Sequence, residues 1–300
     1  MGRPKGDAVD GVLLLDKPVG TSSSAAVGKV RWLLAARKAG HTGTLDPLAS
    51  GLLPLTLGEA TKFSADLLDA DKSYLARVRF GVTTATGDAE GEVTARSPVA
   101  FGRGELDAAL RGFTGEILQV PPMHSALKRQ GRPLYELARA GEVVERAPRR
   151  VRIGRLALLA LEGGEALLSI DCSKGTYVRV LAEDLGAALG CGAHLAGLRR
   201  TRVGPLSLDD AVSIGELEAL DLAARRARLL PADALLAGLP SVELDERDAG
   251  RFAHGQRLPL AVAAAPRVRV YGRDARLLGT ASIDEHGVLA PRRLLQTAAN

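Results

Sequence analysis

The sequence is poor in aromatic residues, at 3% of 300, so each tyrosine, phenylalanine or tryptophan in a motif carries weight. It has two cysteines, Cys172 and Cys191. They are too few and too far apart for a CxxC metal or redox site, and read as reduced, buried thiols of a cytoplasmic protein. The histidines at 41, 124, 194, 254 and 286 show no metal-ligand spacing, which argues against a metal site. No apolar run approaches the ~18 residues of a membrane span. Met1 to Asp10 lacks the apolar stretch of a signal peptide. The expectation is a soluble, intracellular protein with no membrane partner. There is no G-x-x-x-x-G-K-[ST] phosphate loop, internal repeat or low-complexity tract.

What is present points elsewhere. At 46% hydrophobic, the chain can bury a large core, with or without a second small domain. The net charge is +5 and arginine outnumbers lysine, as a polyanionic partner would favour. The stretch from Gly40 to Gly51 packs three glycines, Pro47, His41 and Asp46 into a segment written as neither helix nor strand. Three readings of Asp46 compete. It can be a turn aspartate before proline. It can be an aspartyl-phosphate nucleophile, although such loops place the aspartate before Thr-Gly-Thr and need further carboxylates for a metal. It can also be a carboxylate acting on a sugar or base carbon, which needs no metal.

The rest of the chain reads as α+β. Residues 1–9 are a polar, frayed N-terminus. Gly11–Asp16 is a buried strand, and Thr21–Ser24 offers hydroxyl caps for a helix to about Ala36. A second helix follows Gly58. Lys72–Phe80 alternates as a strand, with Tyr74, Ala76, Val78 and Phe80 on one face and Arg77 and Arg79 on the other. Residues 83–92 form a polar loop. From Val120 to Arg152 the chain is basic and loop-rich, carrying Lys128, Arg129, Arg132, Arg149, Arg150 and Arg152, and reads as an insertion that grips nucleic acid. Arg155–Leu161 and Ala166–Cys172 form a hairpin about Gly163-Gly164. A helix from Tyr177 to Leu189 and an arginine-bearing strand from Leu195 to Val203 follow. After a linker at Leu235–Pro240, short β runs make a small β-rich tail.

Two further residues bear on Asp46. Tyr74 is a rare aromatic that can pack in a core, stack on a base or act as a phenolic acid or base. Arg179 stands in the first turn of the 177–189 helix, where a cation opposes the helix dipole. It therefore needs an anion, and Asp46 suits through a bidentate pair.

Six segments, in order, resemble the TruB family of bacterial tRNA pseudouridine-55 synthases. They are GVLLLDKPVGTSS (11–23), GHTGTLDPLASGLLPLTLGEATK (40–62), DKSY (71–74), SALKRQGRPLYELARAG (125–141), CSKGTYVRVLAEDLG (172–186) and CGAHLAGLRR (191–200). The resemblance implies a pseudouridine-synthase fold, a mixed and largely antiparallel sheet with flanking helices. It also implies a catalytic domain over 10–235, an RNA-gripping insertion at about 121–152 and a PUA-like domain over 241–295. By it, Asp46 is the nucleophile, Tyr74 stacks on the target uracil and Arg179 pairs with Asp46. By the same resemblance His41, Tyr177 and Leu198 line the site or help hold the flipped nucleotide, and Lys62 matches a substrate-binding lysine near the site. Lys128, Arg129, Arg132, Arg149 and Arg150 grip the RNA backbone, and the loop glycines let the backbone approach the extruded nucleotide. The implied substrate is the T stem-loop of tRNA. The implied protein works as a cytoplasmic monomer with no obligate protein partner, cofactor or metal. A guide-RNA-dependent synthase subunit and a non-catalytic RNA-binding protein remain as alternatives.

Overall fold

The apolar run of Gly11–Lys17 is explained by what covers it. Leu13 and Leu15 pack with the helix Ser23–Leu33 in one buried cluster, while Val12 and Leu14 belong to a second cluster on the opposite face. A strand covered on both faces has no need to alternate. Lys72–Phe80 does alternate, with Ala76, Val78 and Phe80 buried and Arg77 and Arg79 exposed, because only one of its faces meets helices. The computed structural model describes residues 6–296 apart from Ala126, Gln130, Val143 and Ala261; the side chains of Lys128, Arg129, Pro133, Tyr135 and Arg139 also lie outside the described residues.

The main sheet has ten strands. Its path runs Val212–Ser213, Gly11–Lys17, Ala49–Leu57, Ala193–Val203, Lys72–Phe80, Glu165–Cys172, Arg149–Glu162 and Gly115–Gln119. Ala39–His41 and Leu206–Ser207 pair off this path. Two pairings are parallel, Gly11–Lys17 with Val212–Ser213 and Ala49–Leu57 with Ala193–Val203; the others are antiparallel. The sheet is thus mixed and largely antiparallel, as expected. Helices Arg103–Gly112 and Val178–Ala188 cover one half, and Ser23–Leu33 covers the other.

The parallel seam in the middle decides where the Asp46 loop goes. Leu198 pairs with Ala49 and Arg200 with Gly51, so the loop that ends at Ala49 is delivered beside Leu198. Gly51 is needed here. Its φ is +97°, and a Cβ there would stand 2.3 Å from the Arg200 carbonyl oxygen. This glycine therefore serves the approach of two protein strands, not the approach of a nucleotide.

Two local expectations are corrected. The segment after Gly58 is a 3-10 helix over Gly58–Leu67. The hairpin strand begins at Arg149, not Arg155, because residues 149–153 find partners in Gly115–Gln119. Arg149, Arg150 and Arg152 therefore sit on a sheet strand and not in a loop. Lys128–Arg129 and Arg132–Pro133 pair as a short hairpin leading into the helix Leu134–Arg139.

A second sheet of five strands runs Ser241–Glu243, Ala265–Tyr271, Leu277–Ile283, Val288–Leu294 and Leu258–Pro259, around its own apolar cluster. It leans on the 58–67 helix. Lys62 Nζ donates to the Leu294 carbonyl at 2.8 Å, Arg267 pairs with Asp66, and the Gln296 amide donates to Glu59 at 2.6 Å.

Candidate active site

Asp46 stands on a loop pinned along its length. The Ser23 hydroxyl, buried, accepts from the Leu45 amide and donates to the Leu45 carbonyl, both at 2.9 Å. The Pro47 carbonyl accepts from the Gly20 amide at 2.8 Å, and the Asp46 carbonyl accepts from Ala49 at 3.0 Å. Arg200, only 2% exposed, donates from Nη2 to the Gly43 carbonyl at 3.1 Å and from Nε to the Leu52 carbonyl at 2.8 Å. These bonds hold the loop backbone on both sides of the carboxylate.

Arg179 reaches that carboxylate from the second residue of the helix Val178–Ala188. Its Nη2 donates to Asp46 Oδ2 at 2.9 Å and to the His124 carbonyl at 2.7 Å. Its Nη1 lies 3.3 Å from Asp88 Oδ2 and donates to the Thr86 carbonyl at 3.3 Å. The expected bidentate pair is therefore not formed: one guanidinium is shared between two carboxylates and two carbonyls. The three charges differ in exposure. The side chains of Arg179 and Asp88 are 8% and 5% exposed, whereas that of Asp46 is 49% exposed. Asp88 is itself held by the Thr86 hydroxyl at 2.5 Å and the Glu90 amide at 3.1 Å. Asp46 is thus the member of this trio that faces open space.

That space is a cleft of about 350 Å³. Asp46, Tyr74, His124, Tyr177, Arg179 and Leu198 are among its walls. Tyr74 pairs across the sheet with Arg200. Burial pushes the Tyr74 phenol above its usual range, and the Arg200 charge opposes that shift. Burial likewise raises the Tyr177 phenol. The cleft can therefore offer a carboxylate, two un-ionised phenols and a leucine to a planar ring.

Of the residues singled out from the sequence, Asp46, Tyr74, Arg179, Tyr177 and Leu198 come together in this cleft. His41 and Lys62 do not line it. His41 lies behind the loop, where its Nδ1 accepts from the Gly43 amide at 3.2 Å. Burial, then the nearby Arg200 charge, lowers its pKa. The Lys62 ammonium is committed to Glu59 at 2.6 Å and to the Leu294 carbonyl, at the junction with the second sheet. Arg132 pairs loosely with Glu142 at 3.6 Å and Arg150 with Glu116 at 3.5 Å; both are exposed. Arg149 is exposed at its strand end, with its charge felt by Tyr177. The side chains of Lys128 and Arg129 are outside the described residues. Among those described, no group of histidine, cysteine and carboxylate side chains could hold a metal ion, and no helix is long and apolar enough to cross a membrane.

Sequence reasoning missed Asp88, Arg200, Lys17, Ser23 and His124. Asp88 lies in a Gly-Asp loop that reads as a turn. Arg200 was one of three arginines on a basic strand, and strand alternation against Tyr74 was the available signal. Lys17 is fully buried, donating to the Pro18 and Thr21 carbonyls at 2.9 and 2.7 Å. Burial brings its pKa down to about 8, with Asp46 opposing and Arg200 reinforcing the shift.

The chain matches three family models. "TruB family pseudouridylate synthase (N terminal domain)" covers residues 31–178, "tRNA pseudouridylate synthase B C-terminal domain" covers 179–237, and "Pseudouridine synthase II TruB, C-terminal" covers 240–295. It is 61% identical over 297 residues to a tRNA pseudouridine synthase B of Burkholderia lata, covering 97% of this chain and 92% of that one. It is 57% identical over 291 residues to the protein of that name from Aromatoleum aromaticum, covering 97% and 94%. Among solved structures, a chain of a Cbf5-Nop10-Gar1 complex is similar with a TM-score of 0.73 and 25% identity, covering 95% of this chain and 84% of that one.

Proposed function

The chain belongs to the TruB family of pseudouridylate synthases and is an isomerase acting on tRNA; from that premise we propose that it converts uridine 55 of the T loop, with Asp46 as the nucleophile. The observation that carries this reading is the Asp46–Arg179 pair at 2.9 Å, with the arginine buried and the aspartate open to a cleft flanked by two tyrosines.

The reaction breaks the bond from ribose C1′ to uracil N1, turns the base, and joins C1′ to C5. The proton on C5 leaves and N1 takes one up, so no oxidant, metal or nucleotide is consumed. The target uridine must first leave its stack, at a cost of a few kcal/mol. In this reading the pinned loop holds the Asp46 carboxylate against the sugar or base while charge develops. Arg179 positions it by one N–H, leaving the rest of the half-exposed side chain free to react. Tyr74 stacks on the uracil, and Tyr177 and Leu198 confine it once it is detached. His41 acts from behind the loop, through Gly43, and Lys62 through the seating of the C-terminal sheet. Arg132, Arg149 and Arg150, with Lys128 and Arg129, contact the RNA backbone. Residues 10–235 act as the catalytic domain, with the insertion at about 121–152, and 241–295 act as a PUA-like domain.

We also propose that the chain works alone, as a cytoplasmic monomer. Identity of 61% over nearly the full length to a tRNA pseudouridine synthase B supports this over a guide-RNA-dependent subunit. Purified protein mixed with an unmodified tRNA transcript tritiated at uracil C5 should release tritium, with no guide RNA or second protein. Absence of release would sink the stand-alone reading. Asp46→Asn should release none while keeping most of its tRNA binding; turnover by that variant would refute the nucleophile assignment.

A further inference from the structure

The three arginines of Leu198-Arg199-Arg200-Thr201-Arg202 have different fates. Arg199 pairs with Asp16 at 2.7 Å, and Arg200 is buried behind the Asp46 loop. Arg202 is exposed, and its guanidinium has no partner among the described residues. The same holds for Arg152, whose main chain alone is engaged, with Ser173. Two β-bulges bring these side chains to one place. Pairing of Ala193–Val203 with Lys72–Phe80 slips between Arg200 and Arg202, so that Arg202 faces Ser73. Pairing of Arg149–Glu162 with Glu165–Cys172 slips between Ile153 and Arg155, leaving Gly154 as the extra residue. Ser73 in turn faces Asp171. A row Arg202, Ser73, Asp171, Arg155 thus crosses four strands, with Gly154 bulged beside it, and a bulge at each end re-aims the flanking strand.

Arg152 and Arg202 line the resulting notch of about 280 Å³. Its acidic members are Asp71 and Asp171. The latter accepts from the Ser73 hydroxyl at 2.6 Å. Lys72 adds charge, but its hydrogens are spent on the Leu68 and Ala70 carbonyls, at 2.8 and 2.5 Å. The free donors are therefore the two guanidiniums, whose planar forks match a phosphate. The notch lies next to the cleft in the chain. Ser73 precedes Tyr74, and Ser173 leads through Lys174 into Gly175, Thr176 and Tyr177, which line the cleft. The Lys174–Asp69 pair at 2.8 Å stands between them.

We propose that Arg152 and Arg202 form a phosphodiester-binding notch that holds the tRNA strand as it passes the mouth of the Asp46 cleft. This rests on the reading that the chain acts on tRNA. It joins Arg152, at the end of the 121–152 segment, to Arg202 on a separate strand. The RNA strand leaving the cleft passes over the ends of these four sheet strands, and one phosphate is gripped by both arginines. Contact to phosphate fixes register without reading sequence.

The test compares wild type with Arg152→Ala/Arg202→Ala and Arg152→Lys/Arg202→Lys, using tritium release and filter binding of tRNA over 50–200 mM salt. The alanine pair should raise Kd and KM several-fold and keep kcat. The slope of log K against log salt should shrink by about one, the loss of one phosphate contact. The lysine pair keeps the charge and should keep the slope. Both residues are exposed, so the variants should melt with wild type. An alanine pair with unchanged Kd and salt slope, beside an active wild type, overturns the notch, as does a loss confined to kcat. A wild type that releases no tritium and binds no tRNA would instead overturn the tRNA reading beneath it.

Discussion

Asp46 and Asp88 share one guanidinium, yet their removal should have opposite consequences. Asp46→Ala deletes a side chain that is 49% exposed and makes one bond to Arg179. The arginine keeps Asp88 and the Thr86 and His124 carbonyls. The loss resembles that of a surface ion pair, about 0–1 kcal/mol. Asp88→Ala deletes a side chain that is 5% exposed. It strips Arg179 Nη1 of its charged partner, leaves the Glu90 amide without its acceptor and leaves the Thr86 hydroxyl only the Asp88 carbonyl, at 3.4 Å. Breaking a buried charged network from one side costs about 3–5 kcal/mol. At roughly 2–4 °C per kcal/mol for a body of this size, Asp88→Ala should melt about 6–20 °C below wild type, and Asp46→Ala within a few degrees of it. Activity should run the other way. Asp46→Ala should show no tritium release above background. Asp88→Ala, assayed below its melting range, should retain measurable but reduced turnover, because Arg179 is free to tilt away from Asp46. Thermal melts and single-turnover tritium release on the same preparations decide the matter. Equal destabilisation by the two substitutions would refute the division of labour, and so would residual turnover in Asp46→Ala.

Ser23→Ala should cost about 1–3 kcal/mol, because both buried polar groups of Leu45 lose their partner. In steady-state kinetics it should lower kcat with little change in KM, since the loop beside Asp46 slackens while the RNA contacts stay. Gly51→Ala puts a Cβ 2.3 Å from the Arg200 carbonyl at a φ of +97°. The backbone conformation alone costs about 1–3 kcal/mol, so urea denaturation should show at least that loss. Lys17 titrates at about 8 in the folded protein against 10.5 for an ordinary lysine. Between those values the unfolded chain binds the extra proton, so folding is favoured as pH rises. Wild type should therefore gain stability relative to Lys17→Met from about pH 8 to 10.5 and show no pH-dependent difference below pH 7.

Much of this was legible in the sequence where the signal was periodic or local. The alternation of Lys72–Phe80 placed Tyr74 on the inner face. Ser213 with Glu216 three residues on has the spacing of a capping box, and the hydroxyl and carboxylate exchange bonds with each other's amides. Signals that depend on partners far along the chain were not legible. Nothing near Arg149 announces that Gly115–Gln119 will pair with it, so a strand read as a loop. Lys62 reads as a site residue by the family resemblance alone, with no periodic or local signal behind it. The 3-10 helix carries it instead to the Leu294 carbonyl, 232 residues further on.

Arg179 shows why a violated local rule was the most useful clue of all. A cation in the first turn of a helix is disfavoured by the dipole, and a buried one is costly unless paired. Local preference therefore argues against arginine at this position, so something outside the helix must repay it. Reasoning from one anion found Asp46. The geometry asks for more: a guanidinium at 8% exposure needs several acceptors, and Asp46, open to the cleft, cannot be the one that holds it in the fold. Asp88 and the two carbonyls secure the arginine whether or not Asp46 is present. That separation lets the reactive carboxylate stay half-solvated and available. A catalytic side chain that also had to hold its own partner in place would gain stability by turning inward, and the cleft would lose its nucleophile.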